Sequence, residues 1–430
     1  MGSVRSGARL YYGWVVVTVA FVTMAISINL RTSFSLFFVS LLEEFRWGRG
    51  VTALGFSLNM LMYTLTSPAI GWLLDRYGPR VVVPVAVSLL SAGMAGSGFI
   101  SELWHFYLFQ GVVVGASTGG LGYTAHSVFL PNWFVRQRGL AIGLAFSGVG
   151  VGALVLLPAI QWLITTAGWR WSYLLLGLLA LVVVAPLNSI FQRREPQDLG
   201  LLPDGHTAAA HPGQKRREIL TVVDPTWAVT DWTARRALGT GRFWLVSGAF
   251  FLTLFAFYLV QVHQVAHVVD QGYSRVFAAS ILGASGILAS IAGIVWGAVS
   301  DRIGREPVWT LGCTGYFVAL LLLLLLGPDR AWMLYALVVC QGFLGGAMAP
   351  LYASIPAEIF GGTHFGAVLG CLSVGAGLGS ALGPWVGGLL YDATGSYRAA
   401  FLLALGAVAT SAFFIWVAAP RKVRRVGRAI

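Results

Sequence analysis

Gly71-Trp72-Leu73-Leu74-Asp75-Arg76-Tyr77-Gly78-Pro79-Arg80 closes one apolar run, and 226 residues later Gly297-Ala298-Val299-Ser300-Asp301-Arg302-Ile303-Gly304-Arg305 closes another. Each copy places an acid and a basic residue between glycines at the end of a long apolar segment, with a second basic residue just after them. The glycines suit close helix contact and a tight turn. The aspartate sits at a helix end, where it can pair with a basic residue or meet a neighbouring helix N-terminus. Two further landmarks recur at nearly the same offset. Gln110-Gly111 pairs with Gln341-Gly342, 231 residues on, and Trp169-Arg170 pairs with Tyr397-Arg398, 228 residues on. A repeat of this length implies two similar helical bundles related by an axis along the membrane normal.

The rest of the chain supports this reading. Of 430 residues, 57% are hydrophobic and only 10% charged, against roughly 25% charged in a globular domain. A membrane span needs about twenty apolar residues. Spans are expected at 12–41, 52–74, 81–100, 103–130, 139–163, 171–191, 243–268, 276–299, 307–326, 331–355, 364–390 and 398–419, numbered 1 to 12 below. Spans 10 and 11 are separated only by the weak break of Glu358, Gly361, Gly362 and His364. The expected fold class is an all-α membrane protein of twelve transmembrane helices in two six-helix bundles. The 54 glycines suit helices that pack backbone to backbone in lipid.

The net charge of +12 does not indicate a nucleic-acid partner, because the basic residues punctuate apolar spans and form no continuous face. With the N-terminus in the cytoplasm, about 21 of the 28 basic residues fall inside, as positive loops require. They include Arg76, Arg80, Arg136, Arg138, Arg302 and Arg305. Both termini are then cytoplasmic and the chain is multi-pass in the inner cell membrane. Residues 1–191 form one bundle and 242–430 the other with its basic tail. Residues 192–241 form a cytoplasmic linker carrying Lys215-Arg216-Arg217 and Arg235-Arg236, with a short interfacial helix around Trp227 and Trp232. The N-terminal apolar run reads as a retained first span rather than a cleaved signal. Cys313, Cys340 and Cys371 show no disulfide or zinc spacing and read as buried thiols.

The paired Gly-x-x-x-Asp-Arg-x-Gly loops resemble the major facilitator superfamily. Within it, the chain resembles the monocarboxylate-transporter and oxalate–formate antiporter branch. That likeness rests on Tyr12-Gly13-Trp14, Leu41-Leu42-Glu43-Glu44-Phe45, Trp133-Phe134 before Arg138-Gly139-Leu140-Ala141, Arg193-Arg194-Glu195-Pro196 through Gly205, and Gly383-Pro384 with Gly387-Gly388 and Asp392. The resemblance implies that the loop cluster latches the cytoplasmic side in the outward-open state. It carries gating roles onto Gly71, Asp75, Arg76, Gly78, Arg80, Gly297, Asp301, Arg302 and Gly304. It also implies that spans 1, 4, 7 and 10 line the cavity. The chain departs from the branch in one respect. Carboxylate carriers usually hold an arginine in span 8, and the oxalate antiporter adds a lysine in span 11. Here 276–299 and 365–390 contain no basic residue.

Charges inside a span are costly, about 2.5–3.5 kcal/mol on insertion scales, so each is a candidate for function. Arg31 lies about 28 Å along the helix from Tyr12 at 1.5 Å per residue, with Asn29 beside it. It either binds a substrate carboxylate or snorkels and pairs structurally. Span 7 brings Gln261, His263, Gln264 and His267. The repeat offset sets His263 at the height of Phe34, near Arg31. His263 either carries a coupling proton or holds a structural hydrogen bond. Tyr123 in span 4 is the position at which the branch uses a tyrosine as a substrate donor, and it stands next to His126. The expected substrate-binding set is therefore Arg31, Asn29, Tyr123, His263 and Gln261, with His263 as proton site. Gln110 and Gln341 read as cross-helix bonds, and the glycine rows of spans 5 and 11 as tight helix contacts.

No P-loop, catalytic triad or metal cluster appears on the loops, which excludes self-driven nucleotide hydrolysis and disfavours an enzyme. No cofactor is expected. The expected function is a secondary carrier for a small monocarboxylate-like anion, proton-coupled or anion-exchanging, working as a monomer in the lipid bilayer. Two alternatives stay open: a carrier for uncharged or cationic compounds, and a non-transporting membrane sensor.

Overall fold

An apolar chain in hydrocarbon must satisfy its own backbone hydrogen bonds, and helices do so within each segment. The computed structural model describes residues 11–134, 138–203, 220–362 and 364–426. Ten of its helical segments are long and apolar enough to cross a membrane by length and composition. They correspond to expected spans 1, 3 and 5 to 12. Span 2 is one 29-residue helix, Arg49–Tyr77, whose polar residues leave it outside those ten. Span 4 is broken into pieces between Leu103 and Trp133. Spans 10 and 11 separate cleanly, one helix ending at Phe360 and the next beginning at Phe365. The helices alternate in direction, so one face of the molecule gathers the motif turns and the described parts of the 192–240 segment. That face is called the linker side below.

Span 1 extends well past its expected end. It runs from Tyr12 to Phe45, as a helix to Thr32 and a second from Phe34, with a turn at Ser33. The Ser33 hydroxyl donates to the Leu30 carbonyl at 2.7 Å and takes part of the backbone's hydrogen bonding at that turn. Arg31 therefore lies in the last turn of the first piece, where the open carbonyl ends favour a cation.

The sequence repeat has a structural counterpart. Gln110-Gly111 and Gln341-Gly342 each sit inside a seven-residue π-helical stretch, Tyr107–Val113 and Val338–Leu344. Such stretches widen the helix and concentrate at functional sites. Gly78 and Gly304 take φ of +74° and +103°, the left-handed region that glycine enters without a Cβ penalty. Each ends one span and begins the next in a single residue.

Two features differ from an all-helical expectation. Leu220–Val222 pairs antiparallel with Arg424–Val426, so the linker and the C-terminal tail are joined as a short ribbon. The interfacial helix around Trp227 is two short helices, Pro225–Val229 and Ala234–Leu238, and it docks on the protein. The Trp227 indole donates to the Ile359 carbonyl at 2.8 Å, and Arg242 lies 4.2 Å over its ring. Lys215, Arg216, Arg217 and Arg136 lie outside the described residues. The three cysteines are free; Cys313 is buried, and Cys340 and Cys371 are half-buried.

Glycines report how helices before and after the linker approach each other. A Cβ added at Gly388 would stand 2.5 Å from the Gly50 Cα, one at Gly377 2.5 Å from the Thr64 hydroxyl, and one at Gly283 2.6 Å from the Ala153 carbonyl. Towards the linker side of the same four helices, a Cβ at Gly71, Gly143, Gly293 or Gly370 would meet nothing within 4 Å. The helices touch from the side opposite the linker to mid-depth and then part. The result is a cleft opening to the linker side. Gly388→Ala should therefore lower the thermal midpoint in detergent, by about 1–3 kcal/mol of overpacking, while Gly370→Ala leaves it unchanged. Equal effects at both positions would overturn the tapered cleft.

Candidate functional site

At the level where the helices part, Arg31 projects from span 1 and is half-buried. Its guanidinium carbon lies 5.1 Å from the centre of the Tyr63 ring of span 2. The hydroxyls of Tyr123 in span 4 and Tyr258 in span 7 are within its electrostatic reach. Among the described residues Arg31 forms no ion pair. Tyr123 begins a helix after the break at Gly119–Gly122, and is 42% exposed despite its central position. Phe146 stands edge-on behind it at 4.9 Å. The break aims the ring inward, where a continuous helix would not. The structure thus brings Arg31 and Tyr123 together and adds Tyr63 and Tyr258. The repeat offset of about 229 that pairs His263 with Phe34 also pairs Tyr258 with Asn29, two residues from Arg31; that signal was available in the sequence.

Two expected members of the site belong elsewhere. Asn29 is 1% exposed, and its amide donates to the Ala25 and Val149 carbonyls at 2.8 and 2.9 Å. One donor hydrogen bonds back within span 1 and the other clamps span 1 against span 5, so Asn29 has no donor left for a substrate. His263 is fully buried and packs against Phe38, one turn beyond Phe34. Its Nε2 donates to the Pro384 carbonyl at 2.8 Å, and its Nδ1 accepts from the Tyr397 hydroxyl at 3.0 Å. A carbonyl can only accept, so Nε2 carries a hydrogen and both ring nitrogens are engaged. In this conformation His263 is shut off from the cleft and joins span 7 to Pro384 and Tyr397. Gln261 is half-buried one turn from Tyr258. Gln110 bonds to Ser97 at 2.7 Å, in keeping with a helix-to-helix role.

The side opposite the linker is closed by charge. Arg49, at the start of span 2, pairs with Asp270 at 2.7 Å and donates to the Tyr397 hydroxyl at 2.7 Å. The Tyr391 ring lies 3.8 Å from its guanidinium carbon. The backbone amides of Arg49 and Gly50 each donate to one oxygen of Asp392, both at 2.8 Å. That carboxylate satisfies two orphan donors at the helix N-terminus. Glu43 at the end of span 1 also pairs with Arg275 at the start of span 8. Every one of these bonds joins a helix before the linker to one after it. Sequence reading missed this cluster because its members lie at six different span ends.

On the linker side the motif residues bond locally. Asp75 is exposed, has no ion pair among the described residues, and receives the Arg194 guanidinium on its backbone carbonyl at 2.5 Å. Arg80 donates to the Ser189 carbonyl at 2.7 Å, and Arg76 lies over Trp72 and Tyr77. Gly71 makes no close helix contact here, contrary to expectation. Asp301 pairs with Arg305 at 2.7 Å, and Arg305 with the buried Glu358 at 2.6 Å. Glu358, two residues from the end of its helix, is thus a buried and paired carboxylate. Arg302 is exposed, and Gly297 lies 3.6 Å from Pro350 by its added Cβ.

With this geometry in hand, comparisons with known proteins are informative. A family profile described as Major Facilitator Superfamily matches residues 18–340 and 268–429. Human Monocarboxylate transporter 11 is 30% identical over 424 residues, covering 97% of this chain and 84% of its own length. Monocarboxylate transporter 13 of Rattus norvegicus is 29% identical over 399 residues, covering 91% and 86%. A bacterial homolog of the human lysosomal transporter Spinster, solved inward-facing and unoccupied, superposes with a TM-score of 0.70 at 17% identity, covering 97% of this chain and 98% of that one. The nucleoside transporter NupG gives 0.69 at 10% identity, covering 95% and 100%.

If the Arg49 cluster seals the side opposite the linker, Arg49→Ala should speed thiol labelling from that side of a cysteine placed at Gln261 in a cysteine-free background. Labelling unchanged by the substitution would remove the sealing role. Asn29→Ala should lower stability by about 1–3 kcal/mol, the cost of unsatisfied buried acceptors, without changing ligand affinity.

Proposed function

This chain belongs to the Major Facilitator Superfamily, and from that premise we propose that it carries a small, monocarboxylate-like organic anion by alternating access. It is a multi-pass membrane transporter and not an enzyme. The observation that carries the substrate proposal is Arg31, a cation at mid-depth in the cleft with no protein counter-ion among the described residues. A carboxylate supplies the missing charge, with the Tyr123 hydroxyl as a further donor. The relatives' names, monocarboxylate transporters 11 and 13, support the same class. Movement is coupled to protons or to exchange for a second anion.

In this proposal twelve helices cross the inner membrane as two six-helix bundles, 1–191 and 242–430. The linker 192–241 and both termini lie in the cytoplasm, and the cleft faces inward. Asp75 and Asp301, with Gly71, Arg76, Gly78, Arg80, Gly297, Arg302 and Gly304, form the inner gate. When the cleft closes, the Asp75 carboxylate meets the N-terminus of the span 11 helix near Phe365, which favours an anion. The Arg49 cluster releases as that gate forms. One observation favours a carrier for uncharged or cationic compounds instead: spans 8 and 11 lack the basic residues usual in carboxylate carriers.

Uptake of lactate into proteoliposomes tests these readings. Arg31→Gln should reduce it about tenfold or more, the value of a charge-assisted hydrogen bond, and Asp75→Asn should slow it with the protein still folded. A wild-type protein that moves neutral or cationic compounds but no carboxylate, equally well with Arg31→Gln, would overturn the anion reading. Unchanged flux in Asp75→Asn would remove the gate role.

A further inference from the structure

The surroundings of Arg31 narrow the substrate beyond a small anion, and this step rests on the anion reading above. The first constraint is charge. Arg31 is the one basic residue within the apolar interior of a span, and every acidic residue of the sequence lies at a span end or in a loop. The site therefore offers a single positive charge and no negative one. A dicarboxylate would leave its second charge unmatched in a low-dielectric cleft, and an amino acid would leave its ammonium unmatched; each carries a desolvation cost that nothing here offsets. A monovalent carboxylate matches the site.

The second constraint is shape. Tyr63, Tyr123 and Tyr258 come from three different helices; the guanidinium carbon lies 5.1 Å from the Tyr63 ring centre, and the other two hydroxyls are within its electrostatic reach. Behind them stands a further aromatic layer: Phe56 is 6.0 Å and Phe257 5.0 Å from Tyr258, and Phe146 is 4.9 Å from Tyr123. Tyr63 is seated beside Gly122, whose added Cβ would lie 3.7 Å from its ring, an ordinary van der Waals contact. Short aliphatic acids need no such collar. Ring faces and edges at 4.5–7 Å are the geometry in which aromatic groups attract one another, and phenol hydroxyls keep the collar wet enough for a carboxylate to enter.

We propose that Tyr63 and Tyr258 are specificity residues that select a monovalent carboxylate bearing an aromatic ring, its carboxylate on Arg31 and its ring between the two phenols. Tyr258 lies after the linker and Tyr63 before it, so such a ligand adds a second link between two helices that already meet through Phe56 and Tyr258.

The test measures binding of benzoate, lactate, malonate and phenylalanine to the purified full chain by thermal stabilisation, which follows affinity by mass action. Wild type should bind benzoate about tenfold tighter than lactate, in line with aromatic pair energies, and show no shift with malonate or phenylalanine. Tyr258→Leu and Tyr63→Leu should each reduce the benzoate-to-lactate ratio severalfold, while Tyr258→Phe, which keeps the ring, preserves it. Two leucine variants guard against one that fails to fold. A wild-type ratio near one, or a ratio unmoved by both leucine substitutions, overturns the aromatic collar while leaving the anion reading standing if Arg31→Gln still abolishes lactate binding. Absence of binding by benzoate and lactate alike overturns both. Tight malonate binding overturns the charge argument.

Discussion

Backbone-to-backbone contact between helices on either side of the linker is the constraint on which the rest depends. Lipid supplies no hydrophobic drive for helices to associate, so close packing and hydrogen bonds must do it. Glycines at the crossings let chains approach as near as Gly50 and Gly388 do. Where the glycines stop meeting partners, the helices diverge and water can reach mid-depth. A guanidinium at that depth is tolerable because the cleft hydrates it. The same divergence exposes Tyr123 and turns helix packing into a binding geometry.

Charge is distributed around this cleft with a clear division of labour. At the closed end, Arg49, Asp270, Asp392, Glu43 and Arg275 bond across the linker division. At the open end, Asp301, Arg305 and Glu358 bond among helices that follow the linker, and Arg80 and Arg194 bond to helices that precede it. The ions at one end fasten the molecule, and those at the other only shape its parts. Individually exposed pairs contribute little. The closed end gains from convergence of several partners on one arginine and from the use of backbone amides as donors.

Much of this architecture was legible in the sequence because it depends on length and sign. Apolar runs mark the helices, and one offset relates the Asp-Arg turns and the Gln-Gly pairs. Arg31 stands out because a charge in an apolar run is rare. Rotation about each helix axis was not legible. Helices apolar on every face carry no stripe that tells which side looks inward. His263 could be given a height but not an azimuth, and it turned towards Tyr397 and Pro384 rather than the cleft. Asn29 likewise faces Val149, a partner 120 residues away that no local pattern announces. Tyr123 was placed by a likeness to relatives, whereas the helix break that aims it is a matter of local backbone conformation.

Of the three π-helical stretches among the described residues, the two at the Gln-Gly pairs carry a historical consequence. A π turn holds one residue more than the helix around it requires, so it arises most simply by a single insertion. Here the extra residue occurs at the matching Gln-Gly pair in both copies of the repeat. One insertion before a gene duplication accounts for both, where two independent insertions would have had to strike the same turn. The widened helix is then older than the doubling of the chain, and the ancestral unit already carried it when two such units first met in a membrane.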